Sequence, residues 1–244
     1  MQYAIRDHTR MSQPNILILA VTRMRGGVCV AGMTTDPDPI AGLRWVRPVK
    51  QHSALLAGDI RYADGTLMRL GDVVAWPMGE ARPSPPHVED VLVDPVRDPP
   101  RLLRRLDSKR LARFCAEHLD RAPDDVLLHE TRSLCLAGPG AVEAWWSYDS
   151  YNGYYEARMA FRAGGFDSGE RGVAVTDLAW RALGRAWLAG AERLRLGDAA
   201  LRERIGDIYL TVGRGRTFEG RHWPLVVGVH AADLLEVKID EAML

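Results

Sequence analysis

The dipeptide Asn152-Gly153 stands between two segments in which apolar and polar residues alternate, and this arrangement constrains the fold more than any other feature. Asn-Gly is typical of the tight turns that join antiparallel strands, because both residues tolerate positive φ. The period of two indicates that one face of the hairpin packs on a core while the other face points outward. With Asn152 and Gly153 as a two-residue loop, Tyr151 pairs with Tyr154. The sequence therefore predicts a long, half-buried β-hairpin.

The two faces of this hairpin differ in composition. The face predicted to pack on a core carries Ala144, Trp146, Tyr148, Tyr155, Ala157, Met159 and Phe161. The opposite face carries three aromatic residues, Trp145, Tyr151 and Tyr154, among charged residues that include Arg158. Aromatic rings on such a face are suited to stack the bases of a single-stranded nucleic acid. They are equally suited to pack against another part of the chain or a partner chain, and both interpretations stay open.

The rest of the chain is dominated by short strands. In the first half we predict strands at residues 15–24, 28–34, 43–47, 72–78 and 87–93, separated by Gly- and Pro-containing turns. In the second half we predict strands at residues 133–136, 172–175, 207–212 and 224–229 beside the hairpin. Short strands with closely spaced turn signals favour small β-barrels or sandwiches over a parallel α/β sheet.

Two segments have helical character. Apolar residues recur at near-helical spacing in residues 99–120, which predicts a helical connector between the halves. A second helix is predicted at residues 178–194, where Thr176 and Asp177 precede an apolar stripe. Asp in that position caps a helix by accepting hydrogen bonds from its first backbone N–H groups. We therefore interpret Asp177 as a cap rather than as a catalytic carboxylate.

Composition limits the classes of function. The 244 residues include 32 basic and 32 acidic side chains, and this formal net charge of zero excludes binding driven by bulk positive charge but not by a local patch. No apolar run is long enough for a transmembrane helix, and residues 1–11 are typical of a disordered leader rather than a signal peptide. Cys29, Cys115 and Cys135 lack the spacing of a zinc site or a disulfide framework. We expect a cytoplasmic protein that does not bind membranes.

Arginine and aromatic residues come together in the first half. Arg23 and Arg25 lie at the first predicted turn, and Trp45 and Arg47 share one face of a later strand. An indole beside a guanidinium is suited to stack a base and contact a phosphate. The alternative is that Trp45 belongs to the core and that the stem of Arg47 packs over the barrel rim.

A second basic cluster lies in the predicted loop at residues 213–221 and just after it. It contains Arg214, Arg216, Arg221, His222 and Trp223. Basic residues interleaved with aromatic ones suit a nucleic-acid backbone with bases stacked beside it. The alternative is a solvated loop with Trp223 packed beneath it.

Motifs for catalysis and cofactor binding are absent. The sequence has no Walker loop, no GxGxxG after a strand, no HExxH, no GxSxG and no zinc spacing. We therefore assign no catalytic residue, no metal ligand and no cofactor. A hydrolytic enzyme such as a nuclease, using Asp177, Asp207 or His222, stays a third alternative, although these residues do not have a known metal spacing.

Several short segments occur in an order that resembles a known family. They are residues 25–32 (RGGVCVAG), 45–49 (WVRPV), 71–74 (GDVV), 175–180 (VTDLAW), 207–211 (DIYLT) and 218–228 (FEGRHWPLVVG). This order resembles the bacterial family called the dual OB-containing domain, over residues 15–230. The resemblance implies two OB-like barrels in one chain and a nucleic-acid-binding role, because OB-folds commonly bind oligonucleotides. It implies no catalytic residues.

Together these observations predict a mainly β protein, of the α+β type, with two small OB-like β-barrels joined by a helical connector. We expect the first barrel at residues 12–96, the connector at 97–130 and the second barrel at 131–240. The leading hypothesis is binding of single-stranded DNA or RNA through arginine–phosphate contacts and aromatic stacking, without catalysis. The alternative is a small-molecule or nucleotide sensor, with its ligand in a barrel mouth or between the halves. The sequence predicts no oligomeric state.

Overall fold

The computed structural model describes residues 14–39 and 42–239. The predicted disordered leader, residues 1–11, lies outside the described residues. The described chain is mainly β, with two sheets and a few short helices, and this confirms the predicted fold class. Within the described ranges, no helix has the length and the apolar character needed to cross a membrane.

The first sheet contains six strands from the N-terminal half. They are β1 (Ile16–Met24), β2 (Gly27–Thr34), β3 (Trp45–Val49), β4 (Asp72–Ala75), β5 (Asp90–Leu92) and β6 (Arg101–Arg105). Their order across the sheet is β5-β3-β2-β1-β4-β6. All neighbours are antiparallel except β3 and β5, which are parallel. The five strands predicted in this half are confirmed, with shifted boundaries.

The second sheet contains eight strands. They are β7 (Leu134–Ala137), β8 (Val142–Asp149), β9 (Tyr154–Ala163), β10 (Phe166–Asp167), β11 (Val173–Val175), β12 (Arg193–Leu196), β13 (Tyr209–Phe218) and β14 (Arg221–His230). The order is β12-β8-β9-β11-β14-β13-β7, with β10 paired to β9 off this path. β11 and β14 are parallel, and the other pairs are antiparallel.

Helices connect and cover the sheets. The α-helices are α1 (Ser108–Glu117), α2 (Asp124–Leu127), α3 (Leu178–Leu188) and α4 (Asp198–Ile205). Short 3-10 helices occupy Ala57–Ile60 and Ala232–Glu236.

The prediction that residues 99–120 are helical is wrong at their start. Residues 101–105 form β6, which pairs with β4 and extends the first sheet. Leu102 packs against the first core while Leu103 is exposed, as expected of a strand. By pairing with β4, this segment gives hydrogen-bond partners to the backbone groups of β4. If the segment were a helix, those groups would be left unpaired at the edge of the sheet. The helix begins only at Ser108, after the Asp107 carboxylate accepts a hydrogen bond from the Arg110 N–H at 2.8 Å.

The predicted helix at residues 178–194 is also too long. α3 ends at Leu188 because Ala189 and Gly190 adopt φ of 47° and 91°, which the helix cannot continue through. Residues 193–196 (RLRL) then form β12, in which Arg195 lies opposite Trp145 of β8. Their alternation has the period of a strand, and the edge of β8 supplies the partner.

The hairpin of β8 and β9 has the predicted faces but not the predicted register. Asp149 pairs with Tyr154 and Trp145 with Arg158, so that the loop contains four residues instead of two. The Asp149 carboxylate accepts hydrogen bonds from the backbone N–H groups of Tyr151 (2.9 Å) and Asn152 (3.2 Å), which stabilises the wider loop. A slip of two residues leaves every side chain on its original face. The inward face is therefore buried as predicted, except at its end.

Each sheet has its own core. The second core contains Trp146 of β8 and Trp180 of α3, whose ring centroids lie 5.1 Å apart. Gly184 lets α3 approach β8 closely, because a Cβ at this position would lie 2.0 Å from the Trp146 Nε1 atom. The first core contains Trp76 and the apolar residues of β1 and β2.

The outer face of the first sheet packs against the second sheet, and we call this contact the seam. Ala20 and Ala31 form a buried cluster with Leu134 and Val227. Gly228 permits the close approach, because a Cβ there would lie 2.1 Å from the Leu19 carbonyl oxygen.

A buried carboxylate adds polar contacts across the seam. Glu89 of the first half accepts hydrogen bonds from the backbone N–H groups of Ser133 (2.8 Å) and Leu134 (3.2 Å), and from the Ser133 hydroxyl at 2.9 Å. The two halves are therefore joined by specific contacts as well as by apolar packing.

Candidate nucleic-acid interface

The two hairpins predicted to bind nucleic acid lie at opposite ends of the second sheet. One row of paired residues crosses four neighbouring strands of this sheet and gives a common reference level. It consists of Trp145 on β8, Arg158 on β9, Ala174 on β11 and Leu225 on β14. β8 and β14 run in the same direction, so the β8–β9 loop follows β8 at one end and the β13–β14 turn precedes β14 at the other. Four residues separate each turn from the shared level, and at about 3.3 Å per residue the turns are about 26 Å apart along the strands.

At one end the aromatic side chains are exposed. Tyr151 is 94% exposed, Tyr154 is 62% exposed and Tyr148 is 38% exposed. Tyr151 belongs to the hairpin loop, while Tyr148 and Tyr154 flank it on opposite faces of the sheet. We call this region the tyrosine end. Three accessible rings at one end of a sheet are typical of a contact surface rather than of a core.

Helix α3 places two arginines against the same hairpin, over the buried ring of Tyr155. The Arg185 guanidinium carbon lies 4.5 Å from the ring centroid of Tyr155 and 5.9 Å from that of Tyr148. The Arg181 guanidinium carbon lies 4.7 Å from the Tyr155 centroid. Because residues four apart on a helix share a face, both arginines face the same hairpin.

Arg23 reaches the tyrosine end from the first half. Its backbone N–H donates to the Thr176 carbonyl at 2.9 Å, just before α3. Its side chain is exposed, and so is that of Arg25 in the adjoining turn. Neither arginine has an acidic group within 4.0 Å among the residues that the structure describes.

Asp177 holds the beginning of α3. Its carboxylate is fully buried at the seam and accepts hydrogen bonds from the N–H groups of Trp180 at 2.6 Å and Val229 at 3.3 Å. Burial raises the pKa of Asp177 to about 7, against the lowering effect of these hydrogen bonds. The interpretation of Asp177 as a helix cap is therefore supported by its contacts.

Trp145 and Arg158 are occupied by contacts within the second half. The Arg195 guanidinium carbon lies 5.1 Å from the Trp145 ring centroid, and Gly172 packs against the other part of that ring. Arg158 donates to the carbonyls of Arg171 (2.7 Å) and Gly172 (2.8 Å) and pairs with Glu156. The predicted roles of Trp145 in base stacking and of Arg158 in phosphate contact do not fit these contacts.

The opposite end of the sheet, which we call the tryptophan end, is a strand hairpin rather than a loop. β13 and β14 extend to a two-residue turn, Glu219-Gly220, in which both residues have positive φ. Trp223 on β14 is 47% exposed. The prediction of a loop over residues 213–221 is therefore wrong, because these residues continue the pairing of the two strands.

Arg214 is the most buried arginine at the tryptophan end. Only 8% of its side chain is exposed. It donates to the carbonyls of Val126 (2.9 Å), Leu127 (2.6 Å) and His222, and lies 3.4 Å from Glu130. These carbonyls include the last ones of α2, so Arg214 caps that helix. The prediction that Arg214 contacts a phosphate is therefore corrected: its donors already have partners.

Other predicted residues at the tryptophan end remain accessible. Arg216 and Arg221 are exposed, and within the described ranges neither has an acidic group within 4.0 Å. The His222 imidazole is held by the Gly215 carbonyl at 2.8 Å and the Thr217 hydroxyl at 3.1 Å. This end therefore keeps two arginines available to a ligand.

Trp45 and Arg47 lie at the seam. Trp45 packs beside the buried cluster of Ala20, Ala31 and Val227. Arg47 forms a two-point ion pair with Asp90, with N···O distances of 2.5 and 2.9 Å. The alternative reading of this pair as a packed structural element fits these contacts better than a role in base and phosphate binding.

His87 brings the seam close to the tryptophan end. Its buried ring meets the His222 ring at a centroid distance of 5.8 Å in an edge-on arrangement. Burial, together with the nearby charges of Arg47 and Arg216, lowers the pKa of His87 to about 4. The imidazole is therefore neutral at physiological pH.

The predicted residues are thus divided into three groups. The tyrosine end contains Tyr151, Tyr154, Arg23 and Arg25; the tryptophan end contains Arg214, Arg216, Arg221, His222 and Trp223; and Trp45, Arg47, Trp145 and Arg158 serve internal packing. Sequence reasoning missed Arg181, Arg185 and the exposed edge of Tyr148. The signal for the two arginines was present in their spacing of four residues within the helix that follows the Asp177 cap.

No metal centre is formed in the described part of the chain, where no three His, Cys, Asp or Glu side chains converge. Its cysteines are free thiols, and burial raises the pKa of Cys115 and of Cys135 to about 12.

A groove of about 920 Å³ opens in the first half between the ends of β3, β4 and β5 and the start of β6.

Comparison with known families agrees with this architecture. The family model described as dual OB-containing domain matches residues 14–229. The chain therefore belongs to the dual OB-containing domain family. Comparisons with curated proteins and with solved structures gave no match.

Proposed function

We propose that this protein binds single-stranded nucleic acid at the tyrosine end. In this proposal Tyr151 and Tyr154 stack unpaired bases, while Arg23 and Arg185 contact phosphates. The observation that carries it is the exposure of three tyrosines beside guanidiniums that have no acidic partner in the described chain. Arg25 is exposed in the turn that follows Arg23 and adds a further positive charge there.

The exposed rings favour unpaired bases over a duplex. Stacking on a side chain requires a base with an accessible face, which a strand without a complement supplies. Tyr151 lies in the four-residue loop and Tyr154 is the first residue of β9, so both exposed rings belong to the tip of the hairpin. Each stacked base contributes about 1–3 kcal/mol.

The guanidiniums supply attraction that the neutral chain lacks as a whole. A protein with a net charge of zero depends on local clusters to bind phosphates. Arg23 and Arg185 come from different halves of the chain, and the positive charge of each lowers the pKa of Arg181. Binding through them should weaken with rising salt, because each phosphate contact releases counterions.

Fluorescence anisotropy tests the proposal. A labelled single-stranded oligonucleotide and its duplex are titrated with the parent protein at several salt concentrations. We expect the single strand to bind more tightly, and the Tyr151→Ala/Tyr154→Ala variant to lose at least about tenfold in affinity. Trp223→Ala, an aromatic deletion at the other end, serves as the matched control and should leave the affinity unchanged. Equal affinities of the parent and the double tyrosine variant would contradict the proposal.

The groove in the first half favours a second candidate function, the binding of a small molecule or nucleotide. Its volume of about 920 Å³ suits such a ligand, and its walls include Lys50, His52, Met78 and Arg101. A thermal-shift titration with mononucleotides tests this function. Stabilisation of the parent, lost in Arg101→Glu, would support it, and no shift at millimolar ligand would exclude mononucleotides.

We further propose that the protein acts in the cytoplasm. Its three cysteines are free, and two of them are buried in the cores. Thiols of this kind persist in reducing compartments.

A further inference from the structure

Three arginines without a carboxylate partner lie near one another at the tyrosine end. The guanidinium carbons of Arg181 and Arg185 lie 4.7 and 4.5 Å from the same ring centroid, that of Tyr155. Arg23 is tied to the segment just before α3 by its backbone hydrogen bond to the Thr176 carbonyl. Among the described residues, no Asp or Glu lies within 4.0 Å of any of the three. By contrast, Arg47, Arg105, Arg132 and Arg195 are all paired with carboxylates.

Arg181 is the unusual member of this cluster, because it is only 9% exposed. Its guanidinium has long contacts to two carbonyl oxygens, 3.3 Å to that of Tyr155 and 3.5 Å to that of Val175. Burial, reinforced by the charges of Arg23 and Arg185, lowers the pKa of Arg181. A buried cation that has only weak neutral partners costs stability, and an anion from outside would offset that cost.

The rings next to the cluster define the direction from which an anion can arrive. Arg181 and Arg185 both lie within 4.7 Å of the Tyr155 centroid, and this ring is buried. Arg23 and Arg185 are exposed, and the Arg185 guanidinium carbon also lies 5.9 Å from the ring centroid of the exposed Tyr148. An anion bound by these arginines would therefore lie on the Tyr148 side of the hairpin whose tip we propose to stack bases.

The amount of charge distinguishes between kinds of phosphate. An internal phosphodiester carries one negative charge, whereas a terminal phosphomonoester carries about −1.5 to −2 at neutral pH and has three acceptor oxygens. Three guanidiniums, one of them buried, suit a terminal phosphomonoester better than an internal phosphodiester. We propose that Arg23, Arg181 and Arg185 form a site for the terminal phosphate of a nucleic-acid strand. This inference rests on the proposed function and adds that the protein recognises phosphorylated strand ends.

The test compares three labelled oligonucleotides of one sequence, bearing a 5′-phosphate, a 3′-phosphate or hydroxyl groups at both ends. We expect one phosphorylated form to bind at least about tenfold more tightly than the hydroxyl form. Equal binding of all three would overturn the terminal-phosphate site while leaving the proposed function intact. Absence of binding by all three would overturn both.

Variants show whether the preference comes from these arginines. In Arg181→Met the preference for the phosphorylated strand should disappear, whereas Arg104→Ala, which removes an exposed arginine of β6, should retain it. Retention of the full preference in Arg181→Met would overturn the assignment.

A second measurement remains informative if Arg181→Met does not fold. Inorganic phosphate should raise the melting temperature of the parent above that in chloride at equal ionic strength, because an anion that binds only the folded state stabilises it. Arg23→Ala, an exposed position, should reduce that increment. An increment that is unchanged in Arg23→Ala, or absent in the parent, would overturn the site.

Discussion

The two ends of the second sheet use the same residue types in opposite ways. At the tryptophan end, Arg214 is buried and caps the carbonyls of α2. At the tyrosine end, an aspartate, Asp177, caps the N–H groups of α3. Arg181 and Arg185 on that helix are therefore not needed to hold its end. Both lie over the buried ring of Tyr155, and Arg185 also lies near the exposed Tyr148.

The number of arginines in a segment therefore does not measure its capacity to bind phosphate. Arg214 lies in the more basic stretch of the sequence, yet its donors are directed to main-chain oxygens inside the protein. A guanidinium is available to a ligand only where the fold supplies no internal acceptor for it.

The largest effect is expected for Asp177, through its pH dependence. Its pKa is about 7 in the folded chain and about 3.9 in an unfolded one. Between these values only the folded state binds the proton, so the contribution of Asp177 to stability is present at low pH and is lost as pH rises toward 7. We expect the free energy of unfolding of the parent, relative to Asp177→Asn, to fall by roughly 3 kcal/mol between pH 5 and pH 8.

Denaturant unfolding at both pH values measures this change. Asn keeps the oxygen that accepts from the Trp180 N–H and does not titrate. Its amide NH2 cannot accept from the Val229 N–H, but this loss is the same at both pH values and does not affect the change with pH. His87 and His230, whose lowered pKa values act in the opposite direction, are common to both proteins and cancel in the difference. A difference between parent and variant that does not change with pH would show that Asp177 is not a buried titrating cap.

A slightly smaller effect is expected at the tryptophan end. Arg214→Ala removes a buried guanidinium from three carbonyl oxygens, and we expect the free energy of unfolding to fall by about 2–3 kcal/mol. Arg221→Ala, an exposed arginine on the same hairpin, should change it by less than about 0.5 kcal/mol. Urea denaturation compares the two variants. Similar stabilities of Arg214→Ala and Arg221→Ala would contradict the view that Arg214 holds the fold while Arg221 is available to a ligand.

Much of the fold was predictable from the sequence. Period-two alternation identified β8 and β9 and assigned Trp146 and Trp145 to opposite faces, because alternation depends only on neighbouring residues. The loop of this hairpin was wrong by two residues, since the Asp149 carboxylate competes with the Asn-Gly turn. β6 and β12 were missed because their strand state depends on partners that lie far away in the sequence.

The candidate site was less predictable than the fold. Tyr154 lies on the outward face as predicted, because hairpin faces are a local property, whereas Tyr151 is exposed in the loop instead of on a strand face. That Arg214 faces α2 depends on a contact between residues more than eighty positions apart, which no local pattern reveals. Arg181 and Arg185 were overlooked because the sequence does not show which element packs against their face of α3.

A third prediction separates packing from binding on one face of the β8–β9 hairpin. Trp145 is covered by Arg195, whereas Tyr154 is exposed. Trp145→Ala should lower the free energy of unfolding by about 3 kcal/mol and leave the oligonucleotide affinity unchanged. Tyr154→Ala should reduce the affinity by about 1–3 kcal/mol with little change in stability. Thermal denaturation measures the stability of both variants, and anisotropy measures their affinity. A loss of affinity confined to Trp145→Ala would show that Trp145, and not Tyr154, contacts the oligonucleotide.

The most direct test of the central claim, that nucleic acid binds at the tyrosine end, is the salt dependence of oligonucleotide affinity in two double variants. Arg23→Ala/Arg185→Ala removes two arginines from the tyrosine end, and Arg216→Ala/Arg221→Ala removes two from the tryptophan end. Each lost phosphate contact should reduce the slope of log affinity against log salt by about 0.7–1. We predict a slope reduced by about 1.5–2 in the first variant and an unchanged slope in the second. A reduced slope in the second variant alone would contradict the account and place the interface at the tryptophan end.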